Sequence, residues 1–265
     1  MTPRLTAKDK WIYGSGDLGF SLTNTILNVY LALFLTDVVG VAPAVAAAAF
    51  FVGSTWDYIN DPIVGYISDR TRSRWGRRRP FLLFGALPFA AAFCLLWWRP
   101  PLETPVALGI YSAAAFALFD TAATFVYMPY YALTPELTDD YDERTGLTST
   151  RMFFSILGSL LAFTIPLWIV GSFQPDHAGR VMLMGAIFAI VAALPLLLVF
   201  RETRERPEFM QSKPTTSLRQ SIGMTWRNRP FVFGLGMFLF NGVTMSVLQV
   251  VLLYYIKYVV MHESD

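Results

Sequence analysis

The chain is poor in the residues from which catalytic and metal-binding sites of soluble proteins are usually built. Its 265 residues include one cysteine and two histidines, and only 15% are charged, against about 25% in an ordinary soluble domain. A lone Cys94 forms neither an internal disulfide nor a cysteine metal site, and His177 and His262 share no ligand spacing. A net charge of +2 with 54% hydrophobic residues argues against a nucleic-acid-binding protein.

Apolar residues instead form runs of twenty or more, and the mean hydropathy is +0.45. A helix needs about 20 apolar residues to cross roughly 30 Å of hydrocarbon, whereas strand-like alternation never lasts long enough here for a barrel. The first run lacks a small-residue cleavage site, so we interpret it as a retained helix and not as a signal peptide. The sequence predicts an all-α membrane protein with spans at 12–37, 43–67, 80–98, 105–133, 150–171, 180–200 and 230–260.

The basic residues fall almost entirely on one side of these predicted spans. All but three of the 21 lysines and arginines occupy the N-terminus and the loops after spans 2, 4 and 6; the exceptions are Arg99, Arg180 and Lys257. The positive-inside rule then predicts a cytoplasmic N-terminus, in a multi-pass protein of the cell (inner) membrane. A seven-helix receptor would have its N-terminus outside, so the arginine distribution opposes that class.

The segment 201–229 is long, charged and polar, as a linker between two helical halves would be. Many transporters consist of two six-helix halves with the substrate path between them. We therefore predict a six-helix bundle at 1–200, a cytoplasmic inter-domain loop at 201–229 and, at 230–265, the first helix of a truncated second bundle. Such a chain needs the missing C-terminal half for transport.

The second span carries two carboxylates and an amide on one helical face, because Asp57, Asn60 and Asp61 are spaced i, i+3 and i+4. An ionised carboxylate in mid-membrane costs about 2.5–3.5 kcal/mol, and two of them one turn apart repel unless a cation or a proton lies between them. Hard oxygen ligands suit Na⁺, and Pro62 frees a backbone carbonyl one turn earlier. The segment predicts a coupling-cation site for Na⁺ or H⁺; structural polar packing is the alternative.

The loop after the second span is rich in arginine and begins beside Asp69. Its arginines are expected to contact the negative inner leaflet. We also predict that Asp69 and the nearby Arg70, Arg77 and Arg78 form ion pairs that hold one state of a cytoplasmic gate and break in the other.

The fourth span carries a polar and aromatic stripe at i, i+4, i+7 and i+11, formed by Asp120, Thr124, Tyr127 and Tyr131. Hydroxyls and aromatic faces on one stripe suit a sugar, and polar contacts between helices are the alternative. Arg151, at the start of the fifth span, is predicted either to pair with Asp120 or a span-2 aspartate, or to extend to the membrane interface.

The string Gly14-Ser15-Gly16-Asp17-Leu18-Gly19 in the first span matches G-x-G-x-x-G. It neither follows a strand nor lies in a βαβ unit, so we reject a dinucleotide site; small residues that let helices approach closely explain it better. The sequence has no P-loop and no H-E-x-x-H motif. We therefore predict no enzyme and no cofactor other than a coupling ion.

Several strings together resemble the glycoside–pentoside–hexuronide:cation symporter family of the major facilitator superfamily. The resemblance runs over nearly the whole chain, and the span-2 motif with its arginine loop is the most specific part. The matching strings are Tyr13-Gly14 with Gly16 and Gly19, Thr36-Asp37-Val38-Val39-Gly40, Trp56-Asp57 with Asn60-Asp61-Pro62, Arg72-Ser73-Arg74-Trp75-Gly76, Met128-Pro129 before Leu133, Thr134-Pro135-Glu136-Leu137-Thr138 and Asp142-Glu143-Arg144-Thr145.

The resemblance implies a Na⁺-, H⁺- or Li⁺-coupled carbohydrate symporter that works by alternating access. It implies a cation site made of Asp57, Asn60, Asp61 and Thr124. The chain departs from the family pattern where a sugar-binding aspartate of helix 1 is replaced by Ser21, and where an aspartate and a stacking tryptophan of helix 4 are replaced by tyrosines. We expect Asp17 and Asp120 to supply the missing carboxylates; the predicted substrate residues are then Asp17, Ser21, Asp120, Tyr127, Tyr131 and Arg151.

Two alternatives to a sugar symporter stay open. One is a lysolipid:cation symporter, because related proteins of the superfamily reuse the span-2 motif. The other is a truncated membrane protein that does not transport. The partners predicted for the favoured function are a small sugar or glycoside and membrane lipid, and no nucleic acid.

Overall fold

The computed structural model describes residues 5–206, residue 223 and residues 226–255, with side chains up to residue 244 in the last segment. These residues form helices joined by short connections, together with one isolated antiparallel bridge between Ser73 and Gly76. The long helices are α1 (Ala7–Leu33), which continues as a π-helical segment (Phe34–Val39), α2 (Pro43–Arg70), α3 (Arg79–Leu96), α4 (Pro105–Leu137), α5 (Tyr141–Val170), α6 (Ala178–Glu202) and α7 (Arg229–Tyr255).

The long helices coincide with the predicted spans and confirm an all-α membrane fold. Five of them are long and apolar enough to cross a bilayer by length and composition: α1 with its π-helical extension, α3, α4, α5, and α6 with the 3₁₀ turn before it. The 28-residue α2 is not among the five, because Asp57, Asn60 and Asp61 lie in its middle. The 27-residue α7 is about 40 Å long at 1.5 Å per residue, which is sufficient for a span.

Two helices begin earlier than the apolar pattern predicted, since polar residues cap them. The side chain of Thr6 accepts the backbone N–H of Asp9, which completes a capping box and starts α1 at Ala7. Asp140 caps α5 by accepting the N–H of Glu143. The fifth helix therefore begins at Tyr141, nine residues before the predicted span 150–171, and its first turn contains Asp142 and Glu143.

Tight packing of α1 against three other helices organises the bundle. Added Cβ atoms at its glycines would collide with α5 at Thr150 for Gly14, with the ring of Tyr130 on α4 for Gly16, and with the carbonyl of Ala192 on α6 for Gly19. The glycine string thus serves close helix approach, as predicted.

A buried tyrosine pair connects the first part of α1 with the last part of α4. The rings of Tyr13 and Tyr130 stack with centroids 4.9 Å apart. Each hydroxyl donates to the backbone carbonyl of the other tyrosine, at 2.8 Å and 2.6 Å. Because the pair satisfies both buried hydroxyls, it fixes the register of the two helices at low energetic cost.

The chain divides into two compact units, Met1–Lys213 and Pro214–Asp265. The first contains α1 to α6 and the second contains α7. The division falls inside the predicted linker 201–229. Residues 207–222 and 224–225 of this linker lie outside the described residues, as do residues 256–265 of the predicted C-terminal segment 230–265.

Candidate cation and substrate site

A cavity of about 920 Å³ opens between α1, α2 and α4. Its apolar lining comes mainly from phenylalanine and leucine side chains, among them Phe20, Leu27 and Phe119. Of the predicted site residues, the cavity is lined by Asp57, Asp61, Asp120, Thr124, Tyr127 and Tyr131. Asn24 and Asn28 on α1 also line it. Neither was predicted from the sequence, although Asp17, Ser21, Asn24 and Asn28 are spaced i, i+4, i+7 and i+11 on one helical face.

The two carboxylates of α2 face this cavity. Asp57 and Asp61 are half-buried, and Asp61 lies beside the hydroxyl of Thr124 on α4. Asn60 is only 3% exposed, and its amide nitrogen has no hydrogen-bond partner among the described residues. Neither aspartate forms an ion pair with any basic side chain that the structure describes.

Asp120 brings a third carboxyl group to the same place. Its side chain lies beside Asn60 and Asp57, and its buried Oδ2 has no hydrogen-bond partner in the described part of the chain. Asp120 was predicted to bind substrate, whereas its neighbours are those of the predicted cation site. Three carboxyl groups with no basic partner among the described residues give this end of the cavity a strongly negative potential whenever they are ionised.

The oxygens available for a cation come from α2 and α4. Within the described ranges, no group of three or more His, Cys, Asp or Glu side chains is arranged to hold a metal ion. A monovalent cation would be held by Asp57 and Asp61, with the hydroxyl of Thr124 and a backbone carbonyl freed by Pro62 as further ligands. The same carboxyl groups would accept a proton.

Arg151 pairs with Asp17 and not with Asp120 or an aspartate of α2. Arg151 Nε lies 3.0 Å from Asp17 Oδ2, with side chains 19% and 9% exposed. The guanidinium carbon also lies 4.4 Å from the ring centroid of Tyr131. The predicted alternatives for Arg151 were wrong because the close approach of α1 to α5 brings Asp17 nearer than any carboxylate of α2 or α4.

Asp17 and Ser21 do not line the cavity. The hydroxyl of Ser21 forms a hydrogen bond with that of Ser155 on α5. Both residues were predicted to bind substrate, and in this conformation both are engaged instead at the α1–α5 interface.

The two tyrosines of α4 form the aromatic part of the cavity wall. The ring of Phe20 contacts Tyr127 and Tyr131 edge-on, with centroids 4.8 Å and 5.7 Å apart. The hydroxyl of Tyr127 is buried without a hydrogen-bond partner in residues 5–206. An aromatic corner with an unsatisfied hydroxyl suits a ligand that offers both an apolar face and a hydrogen-bonding group.

The predicted gate residues form a dense ion-pair network at the ends of α2, α3 and α4. Arg78 donates to Asp69 at 2.7 Å, to Ser68 at 2.9 Å and to Glu136 at 2.9 Å. Arg77 also pairs with Glu136. Glu136 is 3% exposed and accepts hydrogen bonds from both Arg77 and Arg78. From the sequence, Glu136 was identified only as part of a string that matches the family.

Arg70 and Glu205 complete this region in ways that the sequence did not indicate. Arg70 lies over the ring of Tyr66, 3.5 Å from its centroid. Glu205 accepts the backbone N–H groups of three successive arginines, residues 77 to 79, at 2.6, 2.7 and 2.9 Å. Gly76 precedes them with φ +115°, a conformation that only glycine adopts without strain. A carboxylate after α6 therefore caps the start of α3.

An ion pair just outside the helices ties Arg206 to the α4–α5 connection. Arg206 donates to Asp139 Oδ1 at 2.7 Å and to the carbonyl of Glu136 at 3.2 Å. The hydrogen bonds from Arg206 lower the pKa of Asp139 below its usual value. The chain that leaves α6 is thus attached to the gate network.

Comparison with known proteins agrees with this architecture. The family described as "MFS/sugar transport protein" matches residues 12–265. The chain is 32% identical to the inner membrane symporter YicJ of Escherichia coli, over 96% of the chain and 55% of the relative. It is 28% identical to the isoprimeverose transporter of Lactiplantibacillus pentosus (97% and 54%) and 27% identical to the sodium-dependent lysophosphatidylcholine symporter 1 of Xenopus tropicalis (93% and 53%).

These relatives are named as transporters and not as enzymes, and the chain spans about half the length of the curated relatives that it matches. The family match, the membrane-length helices and the motif of α2 agree with one another. The chain is an integral, multi-pass membrane protein that belongs to the glycoside:cation symporter family of the major facilitator superfamily.

Proposed function

We propose that this chain forms the N-terminal half, with the first helix of the second half, of a transporter that couples uptake of a sugar or glycoside to Na⁺ or H⁺. The observation that carries the proposal is the pair Asp57 and Asp61, half-buried at a cavity and without a basic partner in the described structure. Uncompensated carboxylates in a membrane span are costly. A bound cation or proton that enters and leaves with substrate removes that cost during part of the cycle.

In this proposal, different residues of the cavity bind the cation and the sugar. Asp57, Asp61 and Thr124 bind the coupling cation, and the buried amide of Asn60 orients one of the carboxylates or Asp120. Tyr127 and Tyr131, on the same helix as Thr124, contact the sugar. Because α4 carries Thr124 as well as the two tyrosines, a shift of α4 on cation binding would move the aromatic wall, which is a direct route for coupling.

Alternating access requires that the contacts near Arg78 form and break. By the positive-inside rule, the basic loops predict that the N-terminus and this network lie on the cytoplasmic side. In this proposal the pairs of Arg77 and Arg78 with Asp69 and Glu136 hold the cytoplasmic ends of α2, α3 and α4 together in one state, and Arg70 extends the network. Opening toward the cytoplasm breaks them.

A second candidate is a lysolipid:cation symporter. It is favoured by the apolar share of the cavity wall, which includes Leu27, Leu31, Phe50, Phe116 and Phe119, and by the similarity to a symporter named for lysophosphatidylcholine. The cation site would serve either substrate. The cargo therefore has to be separated from the coupling ion in the experiment.

The test is uptake by the complete twelve-helix protein that contains this sequence, with a panel of glycosides and with lysophosphatidylcholine, each with and without a Na⁺ or pH gradient. We expect gradient-dependent uptake of a glycoside. Asp57→Cys and Asp61→Cys should each lower the apparent affinity for the coupling cation about 10- to 100-fold, as expected for the loss of a charged ligand.

Asp176→Asn is the matched control, because Asp176 lies in the 3₁₀ turn before α6, outside the cavity. It should transport normally. Uptake that ignores both gradients contradicts the coupling proposal. Gradient-dependent uptake of the lysolipid alone supports the second candidate, and a complete protein that transports neither cargo identifies a non-transporting membrane protein.

A further inference from the structure

We propose that a groove on the outer face of α3 and α4 binds one acyl chain of an anionic phospholipid, whose phosphate group is held by Arg72 and Arg74. The groove lies wholly within the first unit and is independent of the proposed transport site. Two features carry the proposal: an apolar groove with its polar groups already satisfied, and two arginines at its mouth that have no carboxylate partner within residues 5–206.

The groove has a volume of about 430 Å³ and is almost entirely apolar. Its only hydroxyl groups come from Thr71 and Thr121, and both donate within their own helix, to the carbonyls of Ile67 and Ala117 at 2.8 Å and 2.7 Å. A polar ligand would therefore find no free donor in its wall. The groove is lined by Thr71, Pro80, Phe81, Phe84, Gly85, Pro88, Leu118, Thr121, Ala122 and Phe125.

The groove faces away from the central cavity. Asp120 and Thr124 of α4 line the cavity, whereas Leu118 and Ala122 of the same helix line the groove. Phe84 is 61% exposed and Leu118 is 51% exposed. Because α3 and α4 are both apolar helices of spanning length, an exposed apolar surface on them is in contact with lipid.

Two arginines stand where the groove meets the α2–α3 loop. Arg72 follows Thr71, which lines the groove, and both Arg72 and Arg74 are exposed. The guanidinium carbon of Arg74 lies 4.2 Å from the ring centroid of Trp75. Trp75 in turn contacts Phe84 of the groove edge-on, with centroids 5.7 Å apart. This stack holds a positive charge at the groove's mouth.

Arg72 and Arg74 differ from the other arginines of the loop in their hydrogen-bond and ion-pair partners. Arg77 and Arg78 are paired with Glu136, and Arg78 also with Asp69. Arg79 donates to the backbone carbonyl of Phe200. By contrast, Arg72 and Arg74 form no ion pair with the carboxylates of residues 5–206. Two uncompensated guanidinium groups above an apolar groove are complementary to a phosphate above an acyl chain.

The test counts lipids bound to the 265-residue chain after it is transferred from nanodiscs of phosphatidylglycerol or phosphatidylcholine into detergent, by native mass spectrometry. The wild type should retain phosphatidylglycerol in preference. The double variant Arg72→Gln/Arg74→Gln should lower its retention about 30-fold, since one arginine near the surface changes binding about 5-fold. Ala122→Phe, which fills the groove, should lower retention of both lipids.

Two controls separate this site from general attraction and from misfolding. Lys8→Gln/Arg201→Gln removes the same charge at the ends of α1 and α6, and Leu87→Phe enlarges an exposed side chain of α3 that does not line the groove. Both should bind like the wild type, with unchanged helicity in every variant. The proposal is overturned if the arginine variant keeps the phosphatidylglycerol preference, if Ala122→Phe retains lipid normally, or if Lys8→Gln/Arg201→Gln loses as much.

Discussion

The ion pair between Asp17 and Arg151 should stabilise the fold, and the effects of substituting its two residues should be strongly coupled. Its charged atoms lie 3.0 Å apart, with side chains 9% and 19% exposed. Removing one member of such a pair leaves the other buried and uncompensated, which costs about 3–5 kcal/mol. Removing both leaves two neutral amides that still fit the space and form a hydrogen bond.

The magnitudes follow from the surroundings of each charge. Arg151→Gln loses the ion pair and also the contact of the guanidinium with Tyr131 at 4.4 Å, worth about 0.5–1 kcal/mol, so we expect a loss of about 4 kcal/mol. Asp17→Asn keeps that contact and should lose about 3 kcal/mol. The double variant Asp17→Asn/Arg151→Gln should lose less than either single variant, which corresponds to a coupling energy above about 4 kcal/mol.

The assay is equilibrium unfolding of the four proteins in mixed micelles, followed by helicity. Lys8→Gln provides the comparison, because its partner Glu202 and Lys8 itself are far more exposed, and it should cost less than about 1 kcal/mol. Additive losses from the two single variants would refute the reasoning. In that case Arg151 would not be held by Asp17, and its predicted place in substrate binding would return.

Two smaller perturbations test the packing and the region beside the gate. Gly16→Ala should destabilise the protein by about 1–3 kcal/mol, because the new Cβ would lie 2.6 Å from the ring of Tyr130. The control is Gly179→Ala, whose new Cβ meets nothing within 4 Å and should leave the stability unchanged. Thermal unfolding of the two variants distinguishes them. The pKa of Asp139 is lowered by Arg206, so the contribution of this pair to stability is present above about pH 4 and is lost as the pH falls through the lowered value. An NMR titration of Asp139 should show a midpoint that rises toward its ordinary value in Arg206→Gln; an unchanged midpoint would contradict the assigned cause.

Features that depend on local spacing could be predicted from the sequence. Apolar runs predict helices of spanning length, and i, i+3, i+4 spacing places Asp57, Asn60 and Asp61 on one helical face, which turns toward the cavity and α4. The order of the helices around the bundle is a long-range property. The sequence alone therefore did not show that Asp17 lies across from Arg151.

Capping residues were the other source of error. The start of α5 was missed because hydropathy reports only the apolar part of a helix, while Asp140 caps a helix that begins nine residues before the predicted span. Glu205 was missed for a related reason. It follows the last span in a charged segment that looks like a solvated linker, yet it is 7% exposed and bonds three backbone N–H groups of the α2–α3 loop.

The acidic residues of the bundle separate into two groups by what neutralises them. Asp17 and Glu136 each meet an arginine of the protein itself, so their charge needs nothing from outside. Asp57, Asp61 and Asp120 meet one another and no basic group that the structure describes. Since the repulsion among them rises as they ionise, only this second group gains from an external positive ion. Not every acidic residue in the predicted spans therefore belongs to the proposed cation site. The members of that site are distinguished by the basic partners that they lack among the described residues.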